Sequence, residues 1–305
     1  MNQVDNLKQS RSVLLDMFRS LVIVLLLIGH IGSWLSISWV DKFYINLGDL
    51  YVAHLHQFSV TLFLILSGLV IGLKYGNCKI DYLGFIKKRL IKIYSVYVPS
   101  FIIGLLIFFT LSRVAYNATL TDFMCSLVGF CSFINRFGGI FIETSWFIGL
   151  IVVLYLLFPI ISRYMKDHPH LTIITLLLFS IFSLSIGQAL FIVPIYALVF
   201  LFPLSRIFEF GLGVYLVRLI KPKAWSYMNK YKQTGNIFNW VARISFPLFL
   251  VHHPLRFVLL RLDQLGTPLF VAVTVYVGIS VLVSWLVLKL SEQIVAMKIW
   301  GRQAY

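Results

Sequence analysis

Asp16-Met-Phe-Arg19-Ser-Leu-Val-Ile-Val-Leu-Leu-Leu-Ile-Gly-His30 is an apolar run that holds three ionisable residues. With flanking residues 12–37 it is long enough to cross a bilayer, which takes about 20 residues. At ~100° per residue, eleven steps return a helix to within about 20° of the same face, so Arg19 and His30 share one stripe, roughly 16 Å apart along the axis. Asp16 falls near that stripe, one turn below Arg19. Ionisable groups within a membrane span are costly, and they face the protein interior or a functional site. A surface ion pair between Asp16 and Arg19 with a packed core histidine is the simpler reading of the same residues.

The rest of the chain fits a protein built into a membrane. Of its 305 residues, 60% are hydrophobic and only 12% charged, with a mean hydropathy of +0.91. Soluble domains carry about one-quarter charged residues. Period-two alternation is absent, which argues against a β-barrel. The predicted fold is all-α: a polytopic helical bundle of about eight to ten spans forming a single domain over residues 1–305. The spans are placed at about 12–37, 54–74, 91–112, 144–164, 170–189, 200–220, 238–258 and 268–290. The apolar stretch 189–203 is interrupted by Pro194 and Pro203 and reads either as a further short span or as a re-entrant piece.

The formal charge is +15. The cations cluster in alternate connections, as the positive-inside rule requires, so the charge implies topology and not nucleic-acid binding. Lys8 and Arg11, Lys74 to Arg89, Arg163 and Lys166, Lys221 to Lys232, and Lys298 and Arg302 fall on one side. An even number of spans with both termini in the cytoplasm satisfies this bias. The start of the first span carries Asp16 and Arg19 with no small-residue cleavage site after it, so a cleaved signal peptide is not expected. Cys125 and Cys131 share an outward connection where a disulfide is possible; Cys78 reads as an inert inner thiol. Residues 121–134 read as a short amphipathic helix, either a cap over a pocket or a packed connector.

Further constellations carry chemistry. Lys87, Lys88, Arg89 and Lys92 open the third span from the inside, either as topology anchors or as a clamp for the phosphates of a nucleotide-bearing donor. Ser67-Gly68 permits close approach of a helix or ligand. Arg206 and Glu209 are helical neighbours that neutralise each other. His252 and His253 are adjacent and so point about 100° apart, unlike the i, i+4 pair of a zinc helix, and no catalytic metal is expected. His54 and His56, at the outer start of the second span, read as interfacial.

Taken in order, these segments resemble the acyltransferase-3 family of integral membrane acyltransferases. Leu15-Asp16-Met-Phe-Arg19 with His30 is similar to the family's Arg-x10-His first span, and Leu62-Phe63 through Ser67-Gly68 to its second. Lys88-Arg89-Leu-Ile-Lys92-Ile-Tyr94 resembles the basic start of its third span, with Ser95 where proline is usual. Ser145-Trp146-Phe-Ile-Gly149, Tyr155-Leu-Leu-Phe-Pro159, Arg206-Ile-Phe-Glu209-Phe-Gly-Leu-Gly213 and Ser245-Phe-Pro-Leu-Phe-Leu-Val-His252-His253-Pro254-Leu255 complete the series. Two features depart from the pattern. Leu150 to Leu154 is wholly apolar where many members carry acids, and the family commonly has about ten spans.

The resemblance implies transfer of an acyl group, most often acetyl, from cytoplasmic acyl-CoA to an acceptor hydroxyl, commonly of a cell-surface or exported glycan. It places the protein in the plasma (inner) membrane of a bacterium, with the bilayer, acyl-CoA and a hydroxyl acceptor as its partners. Lys87, Lys88, Arg89 and Lys92 are expected to hold the CoA phosphates, and Arg19, anchored by Asp16, to steer the donor inward. His30 meets the thioester near mid-membrane as general base or as nucleophile, and either role needs a neutral imidazole. Ser67, Trp146, Arg206, Glu209 and His252, the last near the outer end of its span, are candidates for binding the acceptor. A transporter or flippase of a glycan or lipid intermediate is the alternative, since buried Arg, Glu and His also line transport paths. No inverted repeat or paired broken helices support it.

Overall fold

The computed structural model describes residues 13–37, 44–46, 52–76, 80–111, 119–131, 141–191, 203–220 and 235–300. Helix α1 (Val13–Trp34) leads to a small antiparallel hairpin, β1 (Tyr44–Asn46) and β2 (Val52–His54), in which Tyr44 pairs with His54. There follow α2 (Leu55–Tyr75), α3 (Tyr82–Leu111), α4 (Leu120–Val128), α5 (Trp146–Asp167), α6 (Pro169–Phe191), α7 (Ile207–Leu219), α8 (Gly235–Gln264) and α9 (Leu269–Trp300). Short 3₁₀ turns, Glu143–Ser145 and Pro203–Arg206, precede α5 and α7. The hairpin is absent from the sequence-based expectation, since its strands are only three residues long. Every predicted span coincides with a helix, but α3 begins at Tyr82, so the basic residues 87–92 are helical and not a connection.

Among the described residues, six helices are long and apolar enough to cross a membrane: α1, α2, α3, α5, α6 and α9. The other two predicted spans differ in kind. Helix α7 has 13 residues, and α8 has 30 residues but carries arginines, two histidines and two prolines. The stretch 189–203 falls largely outside the described residues.

Lipid is as apolar as leucine, so helix association in a bilayer rests on close packing and polar contacts. The tightest pair, α2 with α7, shows this. A methyl group on Gly68 would overlap the Phe210 carbonyl, and one on Gly213 the Ile65 carbonyl. Gly68 and Gly213 therefore serve helix packing. Helix α1 lies against α2 and α8, while α3, α8 and α9 pack together. Helix α6 is peripheral, with Leu176, Ser180 and Ser183 buried; the Ser180 hydroxyl accepts from the Phe208 backbone N–H at 3.1 Å.

Helix α4 is a packed connector. Thr119 and Asp122 form a capping box at its start, and Gly129, at φ 76°, ends it. Helix 121–134 of the sequence reading thus stops at Val128. The Tyr94 hydroxyl donates to the Val128 carbonyl at 2.7 Å, Tyr97 donates to the Ser126 carbonyl, and Gly149 N–H donates to the Gly129 carbonyl at 2.9 Å. Cys125 and Cys131 are both free thiols, so the possible disulfide is not formed. Cys131 is buried, with its sulfur 3.4 Å from the Ser126 hydroxyl. Cys78 lies outside the described residues.

Charged residues stand near both ends of α8. Arg243 pairs with Glu292, which also meets Lys289 at 3.9 Å. Arg261 and Asp263 stand at the opposite end of α8. Arg243 and Arg261 are eighteen residues apart, about 27 Å of helix against a hydrocarbon core of about 30 Å.

Candidate active site

His252 lies nine residues beyond Arg243 and nine before Arg261, midway along α8 between the two arginines. Around it the fold assembles a layer of histidines from three helices. On α1 the residue before His30 is Gly29; a methyl group there would stand 2.6 Å from the His56 backbone nitrogen. The missing side chain lets α2 close onto α1. The His30 and His56 rings stack with centres 4.3 Å apart. Trp34, one turn above, stacks on His30 at 5.2 Å. From α8, His252 and His253 stand 5.0 Å and 5.6 Å from His30, the second edge-on.

Local hydrogen bonds orient the two α8 histidines differently. The Nδ1 of His252 lies 3.1 Å from the Leu248 carbonyl and 2.9 Å from that of Phe249. Carbonyls only accept, so Nδ1 carries the proton and Nε2 the lone pair. That Nε2 is buried and has no hydrogen-bond partner. The His252 carbonyl accepts from the Tyr276 hydroxyl at 2.9 Å, which ties α9 to the layer. His253 Nε2 lies 3.2 Å from a Glu143 carboxylate oxygen, and that oxygen accepts from Arg256 Nη1 at 2.7 Å. The same Nη1 lies 3.0 Å from His253 Nδ1 and 3.1 Å from its Nε2. A guanidinium only donates, so His253 is satisfied with Nε2–H facing Glu143 and Nδ1 facing Arg256.

A proline positions this acid. Pro254 has no N–H to give to the Leu250 carbonyl one turn back. The Thr144 hydroxyl donates to that carbonyl at 3.4 Å, which docks the 3₁₀ turn carrying Glu143 beside His253.

At the start of α3 the four cations separate. Lys87, Lys88 and Lys92 are exposed, whereas Arg89 turns into the bundle. Its guanidinium lies over the rings of Tyr75, Phe85 and Tyr155 at 5.3, 5.4 and 5.7 Å. Arg89 Nε is buried without a hydrogen-bond partner. The Tyr155 and Ser67 hydroxyls are 2.9 Å apart. Arg89, Tyr155 and Ser67 therefore form one connected patch, joined by a ring contact and a hydrogen bond. On α1, Asp16 is buried and Arg19 half-buried, eleven residues below His30. Trp146 begins α5, edge-on to Phe147.

Arg206 and Glu209 join a different contact. Arg206 is 1% exposed, its Nε 2.8 Å from a Glu209 oxygen and its Nη2 donating to the Thr61 hydroxyl at 2.8 Å. Thr61 is five residues past His56 and about 140° round α2 from it. The pair braces α7 on α2, on a different face of α2 from the histidine layer.

Of the predicted residues, His30 and His252 meet in the layer. The sequence reading missed His56, His253, Glu143 and Arg256. His56, read as interfacial, stacks on His30 at the Gly29 crossing; a glycine directly before a span histidine was the available signal. The stacked rings offer faces to one another, and no group of three His, Cys, Asp or Glu among the described residues is placed to hold a metal ion. A cavity of about 210 Å³ lies elsewhere, lined by Gly72, Gly76, Ser162, Met165, Val214, Val217 and Arg218. Gly72 is sixteen residues from His56, about 24 Å along α2, so this space is remote from the histidines.

The sequence matches the family model of the Acyltransferase domain (Acyl_transf_3) over residues 13–228. The match takes in α1 to α7 and ends before α8. Comparisons with curated proteins and with solved structures return no match.

Proposed function

Because this chain belongs to the acyltransferase family whose domain it matches over residues 13–228, we propose that it moves an acyl group, acetyl by preference, from cytoplasmic acyl-CoA to a hydroxyl of a cell-surface or exported glycan. The observation that carries this reading is the histidine layer in which His30 meets His56, His252 and His253, with Arg19 eleven residues away along α1. The reading places the protein in the plasma membrane of a bacterium.

Each residue then has a task. Lys87, Lys88 and Lys92 face water and meet the donor's phosphates at the inner surface, and Arg89 reaches them from within the bundle. Arg19, with Asp16 one turn below, guides the acyl end upward along the α1 stripe. The rise of roughly 16 Å from Arg19 to His30 is the length an extended donor arm has to cover. His30 takes the proton of the acceptor hydroxyl as its oxygen attacks the thioester carbonyl. The carbon–sulfur bond breaks, and the thiolate takes the proton from His30. A two-step variant, through acyl-imidazole on His30, uses the same contacts.

The test is purified protein with radiolabelled acetyl-CoA and no added acceptor, comparing wild type with His30→Ala. Label transfer or slow hydrolysis that depends on His30 supports the reading. Absence of both CoA binding and turnover in wild type removes it and favours the transport alternative.

A further inference from the structure

We infer that His252 is a positioning residue that accepts, through Nε2, the hydrogen bond of the imidazolium formed on His30 during transfer. This rests on the acyl-transfer reading above and adds a residue beyond the matched region 13–228.

The starting observation is a buried acceptor with nothing to accept. His252 is 0% exposed, and its Nε2 lone pair has no hydrogen-bond partner. Leaving such an atom unsatisfied is costly, and native structures keep few of them without a reason. Its tautomer is set by the Leu248 and Phe249 carbonyls at Nδ1, so Nε2 points away from α8 and can only accept.

His30 is the partner the surroundings leave for it. Trp34 stacks on His252 at 6.0 Å and 26°, which presents ring face and not the indole N–H. Tyr276 donates to the His252 carbonyl, and His253 is engaged with Glu143 and Arg256. The His30 and His252 ring centres are 5.0 Å apart. Two imidazoles joined by an N–H···N bond of about 2.9 Å have their centres roughly 5 Å apart. A rotation of the His30 ring therefore closes the bond without moving either helix.

The chemistry explains when the bond forms. Neutral His30 has one N–H; after taking the acceptor's proton it has two. One faces the thiolate that will receive that proton. The second needs an acceptor, and Nε2 supplies it. His252 gains and loses no proton. It does for His30 what a carboxylate does for the histidine of a hydrolase triad, but as a neutral group.

The experiment uses the purified full chain in lipid nanodiscs, acetyl-CoA as the probe, water as acceptor, and release of free CoA thiol as the readout. Glutamine places an amide near the position of Nε2, while asparagine places one near Nδ1. The expected result is that His252→Asn lowers kcat by about 10²-fold or more with KM for acetyl-CoA changed by less than about twofold, and that His252→Gln recovers at least about tenfold of that loss. Should His252→Asn fail to fold, His252→Met takes its place in the comparison. Equal kcat in the two variants, or a loss carried by KM, overturns the inference. Wild-type turnover that is abolished in His30→Ala but insensitive to His252 overturns it while leaving the acyl-transfer reading intact; wild type with neither turnover nor CoA binding overturns both.

Discussion

His56 lies face to face with His30, ring centres 4.3 Å apart, because Gly29 puts no side chain between α1 and α2. Both histidines are therefore held by a helix crossing and not by a local motif. Gly29→Ala places a methyl group against the His56 backbone, and overpacking of this kind costs about 1–3 kcal/mol. The expected outcome is a lower melting temperature in detergent together with a loss of donor turnover. A variant with wild-type stability and turnover would show that the crossing does not set the site.

His30→Ala is expected to lower acyl transfer by roughly 10²- to 10⁴-fold, the usual contribution of a positioned acid–base group. Insertion and the size-exclusion profile should remain those of wild type, because the ring lies within a layer of other rings that still pack. Turnover measured beside CoA binding checks both halves.

Arg256 is bonded to Glu143 and to the ring of His253 at once. Arg256→Met removes the donor that holds His253 in one tautomer, and small displacements around a reacting group cost up to about 10²-fold. The fall is expected in kcat, with donor KM little changed. Glu143→Gln should fall less, since it still offers His253 an acceptor oxygen. Steady-state kinetics of the two variants decide this.

Arg89 and the lysines beside it are expected to part company under salt. Arg89 sits over three aromatic rings, and a guanidinium there is not replaced by an ammonium. Arg89→Lys should raise the apparent KM for acyl-CoA by about tenfold, the worth of one charge-assisted hydrogen bond. Lys87→Ala and Lys88→Ala should raise it less, and their effect should vanish at high ionic strength, because exposed charges are screened. Donor titrations at low and high salt check the contrast.

Cys131 is 2% exposed, and burial pushes its thiol up, away from the reactive thiolate. In a Cys78→Ser background, a maleimide is expected to label Cys125 in the folded protein and Cys131 only after unfolding. Early labelling of Cys131 would mean that α4 undocks from Tyr94 and Tyr97.

Some of this site can be read along the chain. Arg19 and His30 belong to one helix, whose pitch sets their separation whatever surrounds it. The lysine asymmetry, the apolar spans and the family's ordered segments are likewise properties of the chain taken a piece at a time. His56, His253, Glu143 and Arg256 escaped that reading. His54 and His56 look like an interfacial pair when α2 is considered alone, and His253, adjacent to His252, points about 100° away from it. Glu143 has no periodic partner at all: it reaches His253 because Pro254 leaves the Leu250 carbonyl for Thr144 to bond.

The amino-acid order dictated the apolar helices and the Arg19–His30 stripe, since each depends on hydropathy or helix pitch over a short span. Which helices touch, and so which histidines meet, was settled by contacts between residues far apart in the chain. In lipid those contacts are not imposed by a general hydrophobic collapse. They arise where a missing side chain, as at Gly29, or a missing N–H, as at Pro254, lets two particular backbones come together.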